Sequence, residues 1–183
     1  KDDGHAARAL RFTILTAART SEAIGARWVE IDFNKAVWTV PANRMKGARE
    51  HRVPLSKTTL RILSEQKKLF GDGEFVFPGR REGTALSNMA MLQLLGRIKR
   101  GHLTVHGFRS TFRDWAAEST SFAREVAEAA LAHAIGDKVE AAYRRGDLFE
   151  KRRKLMDAWA THCSAAPTNS KVISISSARR RAS

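Results

Sequence analysis

Apolar residues follow a helical period along most of this chain and a strand period over one stretch only, residues 29–54. A helix presents one face about every 3.6 residues and a strand alternates every 2. That single change of period restricts the chain to a mainly α domain with a small antiparallel β-sheet, an α+β fold. Residues 6–17 read as a first helix, apolar at Ala7, Leu10, Ile14 and Leu15. A second opens after Thr20 or Ser21, both good N-cap residues, with Glu22 in its first turn, and is expected to run to about Trp28. Residues 29–33, 36–40 and 51–54 are the expected strands; Asn34-Lys35 supplies a tight turn, and polar residues 45–50 connect the second strand to the third.

The helical pattern returns over 56–70, ended by Gly71 and Gly73, and residues 75–77 are expected to be extended. Further helices are expected over 87–100, stopped by Gly101, over 106–118, capped by Thr104, and over 123–133, 138–145 and 148–162. After Cys163 the composition turns to Ser, Ala and Arg. Residues 1–163 are therefore expected to form the folded domain, and 164–183 a basic tail whose Val172, Ile173 and Ile175 could add a strand to a sheet edge. The chain starts at Lys1, not Met, and is expected to be a piece of a longer protein.

Charge narrows the partner. The chain carries 33 Lys and Arg against 19 Asp and Glu, a formal net charge of +14, which points to a polyanion and above all to nucleic acid. No apolar run approaches the roughly 20 residues that cross a bilayer, so no membrane partner is expected. One cysteine, Cys163, excludes an internal disulfide and a multi-thiolate metal site and suits a reducing cytoplasm. The sequence lacks a phosphate loop, a dinucleotide fingerprint, a helical zinc motif and a nucleophile elbow. His102 and His106 lie four apart, but Gly101 and Thr104 break a shared helix and no carboxylates accompany them, so no metal is expected.

Tyr143 is the only tyrosine in a chain with nine Phe and four Trp. A lone tyrosine is most simply an aromatic anchor with its hydroxyl at the surface. Here small residues precede it and Arg144-Arg145 follow, leaving the hydroxyl reachable and favouring the charged phenolate that a nucleophile needs. His106-Gly-Phe-Arg109 spaces an imidazole and a guanidinium by three, which puts them on one helix face. The planar fork of Arg109 suits two phosphate oxygens, and His106 suits proton movement near neutral pH. Arg19 falls where a helix begins and unpaired N–H groups favour an anion. Lys46 lies on the second hairpin's loop, and His133 at a helix end ten residues before Tyr143. Each has a plainer reading, as a surface cation or a satisfied core histidine.

Taken in order, Arg19, Lys46, His106-x-x-Arg109, His133 and Tyr143 resemble the active site of the tyrosine recombinase (phage integrase) family. "TAARTSEAIGARWVEI" at 16–31 looks like its first arginine box, "LTVHGFRSTFRDWAAE" at 103–118 its His-x-x-Arg box, and "LAHAIGDKVEAAYRRGD" at 131–147 its His and nucleophile box. The wording is most similar to integrases of prophages and genomic islands. Ala18 stands where many relatives have Gly.

The resemblance implies a site-specific DNA recombinase without cofactor or metal. Tyr143 would attack a scissile phosphate, and Arg19 and Arg109 would clamp its oxygens. Lys46 would protonate the leaving 5′ oxygen, His106 and His133 would assist, and Glu22 would orient Arg19. It implies double-stranded attachment-site DNA as partner, other protomers in a tetramer of the full-length protein, DNA-gripping domains before this one, and work in the bacterial cytoplasm at the nucleoid. Lys57, Arg61, Arg97, Lys99 and Arg100 are expected to meet backbone phosphates. A non-catalytic DNA-binding module and a type IB topoisomerase remain the alternatives.

Overall fold

A computed structural model describes residues 3–133 and 146–165. In chain order the helices are α1 (Asp3–Thr16), α2 (Thr20–Ile24), α3 (Lys57–Phe70), α4 (Ala90–Arg97), α5 (Gly107–Glu118), α6 (Arg124–Ala130) and α7 (Phe149–Ser164). Between α2 and α3 stand β1 (Ile31–Asp32), β2 (Val37–Val40) and β3 (His51–Pro54). They form an antiparallel sheet of order β1-β2-β3, with Trp38 opposite Ile31 on one side and Val53 on the other, and Val40 opposite His51. The mainly helical fold with one small sheet is thus as the change of period requires. Among the described residues no helix is long and apolar enough to cross a membrane. The expected helix over 138–145 and the tail beyond Ala165 lie outside the described residues.

The core has two main centres. In one, Phe12 of α1 packs between Trp38 of β2 and Phe77, the rings tilted at distances of 5.0 and 5.4 Å. In the other, Phe112 of α5 meets Trp159 of α7 edge-on at 5.4 Å over Val126 and Ala127 of α6. Ile14 packs against both, and its carbonyl accepts the Trp159 indole N–H at 2.8 Å. The first centre thereby fixes α1 and the hairpins, and the second fixes α5, α6 and α7 around the end of α1.

Several boundaries differ from expectation: β1 covers only Ile31–Asp32 because residues 28–30 form a 3-10 turn, α6 stops at Ala130, and three others have clear local reasons. α2 ends at Ile24, not near Trp28. Beyond Gly25 the chain pairs with another segment: Val76 N–H donates to Ala26 O at 2.8 Å and Trp28 N–H to Glu74 O at 3.1 Å. These tertiary hydrogen bonds replace the next helical turn. The α2 N-cap is Arg19, not Thr20 or Ser21, because the Glu22 carboxylate reaches back to the Arg19 amide at 2.9 Å. α4 is shorter than 87–100 and stops before Gly101: Lys99 adopts φ +59°, and Arg100 N–H closes on Leu95 O at 2.7 Å. That is a left-handed helix stop with Lys in the place glycine usually takes. α3 begins as expected, with Ser56 Oγ accepting the Thr59 amide. Thr104 also caps as expected, its hydroxyl accepting the Gly107 N–H at 3.0 Å.

Candidate active site

Arg109 lies on the buried face of α5 with Phe112 and Ala116, and only 6% of it is exposed. A guanidinium belongs there only if its N–H groups find acceptors. Two helix ends supply them. Nη1 donates to the carbonyl of Ala17, which takes φ +49° between α1 and α2. Nη2 donates to Leu131 O at 2.8 Å, where α6 ends. Arg109 thus ties three helices at one point, and the two carbonyls use two of its five N–H donors.

The same point gathers other expected residues. His133 Nε2 lies 3.4 Å from Arg109 Nη2. Arg19 pairs with Glu22 at 2.7 Å, and the second carboxylate oxygen of Glu22 caps the Arg19 amide. Glu22 is itself buried, and its carbonyl accepts from Arg44 Nη2 at 2.6 Å. Arg44 also pairs with Glu30, which accepts the Trp38 indole N–H, so the hairpin loop locks the end of α2. Burial first, and then the Arg19 charge, lower the Arg109 pKa to about 10 against the opposing pull of Glu22. Arg109 therefore stays charged at neutral pH beside a second cation, an arrangement that an incoming anion relieves.

His133 follows α6 in a left-handed stop. Ala132 takes φ +50°, the His133 amide donates to Glu128 O at 3.0 Å, and the His133 ring meets the Glu128 carboxylate at Nδ1, 2.6 Å away. Glu128 also accepts from Arg113 Nε at 2.9 Å. Burial alone would raise its pKa, but the His133 and Arg113 contacts outweigh that and hold it low.

Other expected residues stand apart. His106 and Arg109 differ in burial: His106 already has helical backbone angles (φ −67°, ψ −33°) and its carbonyl accepts the Arg109 N–H at 3.0 Å, yet it is exposed one turn before the buried Arg109. Arg109 turns inward because the two carbonyls satisfy its charge. Lys46 is exposed on the loop between β2 and β3, beside the buried Met45. Tyr143 lies outside the described residues. Lys57 and Arg61 are exposed on α3, and Arg97, Lys99 and Arg100 at the end of α4. Among the described residues no group of His, Cys, Asp and Glu is placed to hold a metal ion.

The structure also brings in residues that pattern reading passed over. His51 on β3 reaches Ala130 O at 3.3 Å, and burial, with help from the Arg152 charge, lowers its pKa to about 4. Arg152 is 1% exposed and binds the Arg52 carbonyl at 2.6 Å and both the carbonyl and carboxylate of Asp147. Arg52 adds a second hold on the Asp147 carboxylate at 2.7 Å. Burial works against the Asp147 charge, yet these two arginines keep its pKa low. The backbone just after Gly146 is therefore fixed. Nothing in the run Lys151-Arg152-Arg153-Lys154 distinguishes its one buried member from a solvated basic face.

The Phage integrase family profile matches residues 2–148. The prophage integrase IntA of Escherichia coli K12 is 42% identical over 164 residues, covering 88% of this chain and 40% of IntA. The chain thus spans about two-fifths of that relative's length. Among solved structures, an integrase from mycobacterium phage Brujita superposes with a TM-score of 0.63 at 15% identity, covering 84% of this chain and 50% of that one. Lambda integrase, in a dimer bound to a core site, gives 0.53 at 19% identity, covering 78% of this chain and 52% of that one. At those identities the two structures speak to the fold.

Proposed function

The chain belongs to the phage integrase family, and on that premise we propose that it is the strand-transfer domain of a site-specific DNA recombinase. The observation that carries this reading is the convergence of Arg19, Arg109 and His133. A nearly buried guanidinium sits beside a second one, with an imidazole 3.4 Å away. Such a cluster suits the non-bridging oxygens of a phosphodiester and the charge that builds on them in the transition state.

Tyr143 is the nucleophile. Its oxygen forms a bond to phosphorus as the bond from phosphorus to the 5′ oxygen breaks, leaving a 3′-phosphotyrosine and a free 5′ hydroxyl. The phenol gives up its proton, with His106 assisting, and the leaving oxygen takes one, for which Lys46 is the candidate donor. Ester energy is kept, so the 5′ hydroxyl of another strand can reverse the step without ATP. Glu22 orients Arg19 through its two contacts. Lys57, Arg61, Arg97, Lys99 and Arg100 hold the duplex by its phosphates, in keeping with the net charge of +14. The lambda integrase structure, a dimer on its core site, is consistent with a DNA partner. The full-length protein would act as a tetramer on paired attachment sites in the cytoplasm, at the nucleoid.

The test is a pool of nicked duplexes randomised around the cleavage position. The chain is expected to become attached to the 3′ side and to release a 5′ hydroxyl. No adduct, or attachment to the 5′ side, contradicts the reading. Relaxation of supercoiled plasmid without paired-site exchange would favour the topoisomerase alternative.

A further inference from the structure

Glu128 has no part in the mechanism above, yet it makes the closest side-chain contact to His133, 2.6 Å from Nδ1. An ionised carboxylate only accepts hydrogen bonds, so Nδ1 must carry a proton. In the neutral ring Nε2 is then the acceptor, and it faces the Arg109 Nη2 donor. The two Glu128 oxygens divide their work: Oε1 takes Arg113 at 2.9 Å, with Arg124 further off at 3.9 Å, and Oε2 is left to His133. Its carbonyl also accepts the His133 amide at 3.0 Å, so backbone and side chain of one residue set both the place and the orientation of the ring.

We propose that Glu128 is a positioning residue of the strand-transfer site, holding His133 as the Nδ1–H tautomer so that Nε2 is presented to Arg109 and to the bound phosphate. The proposal rests on the reading of His133 as part of the phosphate site. A phosphate beside Arg19 and Arg109 brings negative charge, and the ring can then take a solvent proton on Nε2 and donate it in a hydrogen bond to a phosphate oxygen. Glu128 stabilises that imidazolium from the opposite side. Other charges face the pair: Arg113 and Arg109 from α5, Arg124 from α6, and Arg19 with Glu22 from α2. His51 of β3 adjoins through Ala130. Of these, Glu128 alone is hydrogen-bonded to Nδ1.

Two measurements on the whole chain decide it. Imidazole nitrogen shifts read the tautomer directly at a pH where the ring is neutral. The native chain and Glu128→Gln, which keeps an accepting oxygen, are expected to show the Nδ1–H form for His133. Glu128→Ala is expected to move it toward Nε2–H. An unchanged tautomer in the alanine variant overturns the proposal, as does loss of the Nδ1–H form in a folded glutamine variant.

Single-turnover cleavage supplies the link to chemistry. Glu128→Ala should slow it about tenfold with DNA affinity nearly unchanged, Glu128→Gln should recover most of the loss, and in a His133→Ala background Glu128→Ala should cost nothing further. An equal loss in that background means that Glu128 acts on the fold and not through His133. A native chain that forms no adduct sinks the strand-transfer reading, and the tautomer comparison still decides the assignment of Glu128.

Discussion

Arg109 Nη2 and His133 Nε2 lie 3.4 Å apart, although the residues are 24 positions apart in the chain. The carbonyls of Ala17 and Leu131 make that approach possible, because they fix the guanidinium before any ligand arrives. Preorganised donors of this kind lose little on meeting a transition state.

Replacing Arg109 with alanine should lower the single-turnover rate of strand cleavage roughly 100-fold or more. A rate within about threefold of the native chain would mean that Arg109 serves only to tie α1, α5 and α6 together. A thermal melt separates that structural contribution from the chemistry.

Glu22→Gln should reduce cleavage about tenfold, since Arg19 loses the carboxylate that orients it and the two guanidiniums lose the charge that screens them. Duplex affinity, read by fluorescence anisotropy, should change little. Equal losses in affinity and rate would place Glu22 in general binding and not in orienting Arg19.

His51 predicts a pH dependence of stability. Its imidazole titrates near 6.5 when unperturbed and at about 4 in the folded chain. Between those values the unfolded chain binds the extra proton, so stability rises with pH across the window. The contribution is fully present above about 6.5 and is lost as the pH falls toward 4. Its full size is about 3 kcal/mol, at about 1.4 kcal/mol per pKa unit. Urea unfolding at pH 7.5 and pH 5 should show a smaller pH-dependent loss for His51→Gln than for the native chain. Identical losses would remove His51 from the account.

Duplex binding should weaken steeply with salt. Neutralising Lys99 and Arg100 together should reduce the slope of log affinity against log salt by roughly 2, with little change in sequence preference. An unchanged slope would take the end of α4 off the DNA.

How much of this was legible in the sequence depended on what kind of signal each part leaves. The sheet was legible because the β-branched and aromatic run Val37-Trp38-Thr39-Val40 follows the tight turn at Asn34-Lys35 and breaks the helical period. The early end of α2 was not, because the pairing of Ala26 with Val76 is a tertiary event without a local mark. The stop at Lys99 was hidden for a related reason: a left-handed lysine looks like any other, and the nearby Gly101 drew the boundary to itself. In the proposed site, Arg19, Arg109 and His133 were singled out by their order along the chain. Their neighbours Glu128, His51 and Arg152 were not: His51 and Arg152 are defined by partners remote in sequence, and Glu128 meets His133 only because the chain turns back after α6. The difference in burial between His106 and Arg109 was not legible either, because it follows from the carbonyls of Ala17 and Leu131, which are remote from Arg109 in the chain.

Whether one phenol forms the covalent link to DNA is read by trapping the adduct on a suicide duplex with the native chain and with Tyr143→Phe. The expected result is an adduct that peptide mapping assigns to Tyr143, and none in a phenylalanine variant that still binds the duplex. An adduct of equal yield in Tyr143→Phe would contradict it.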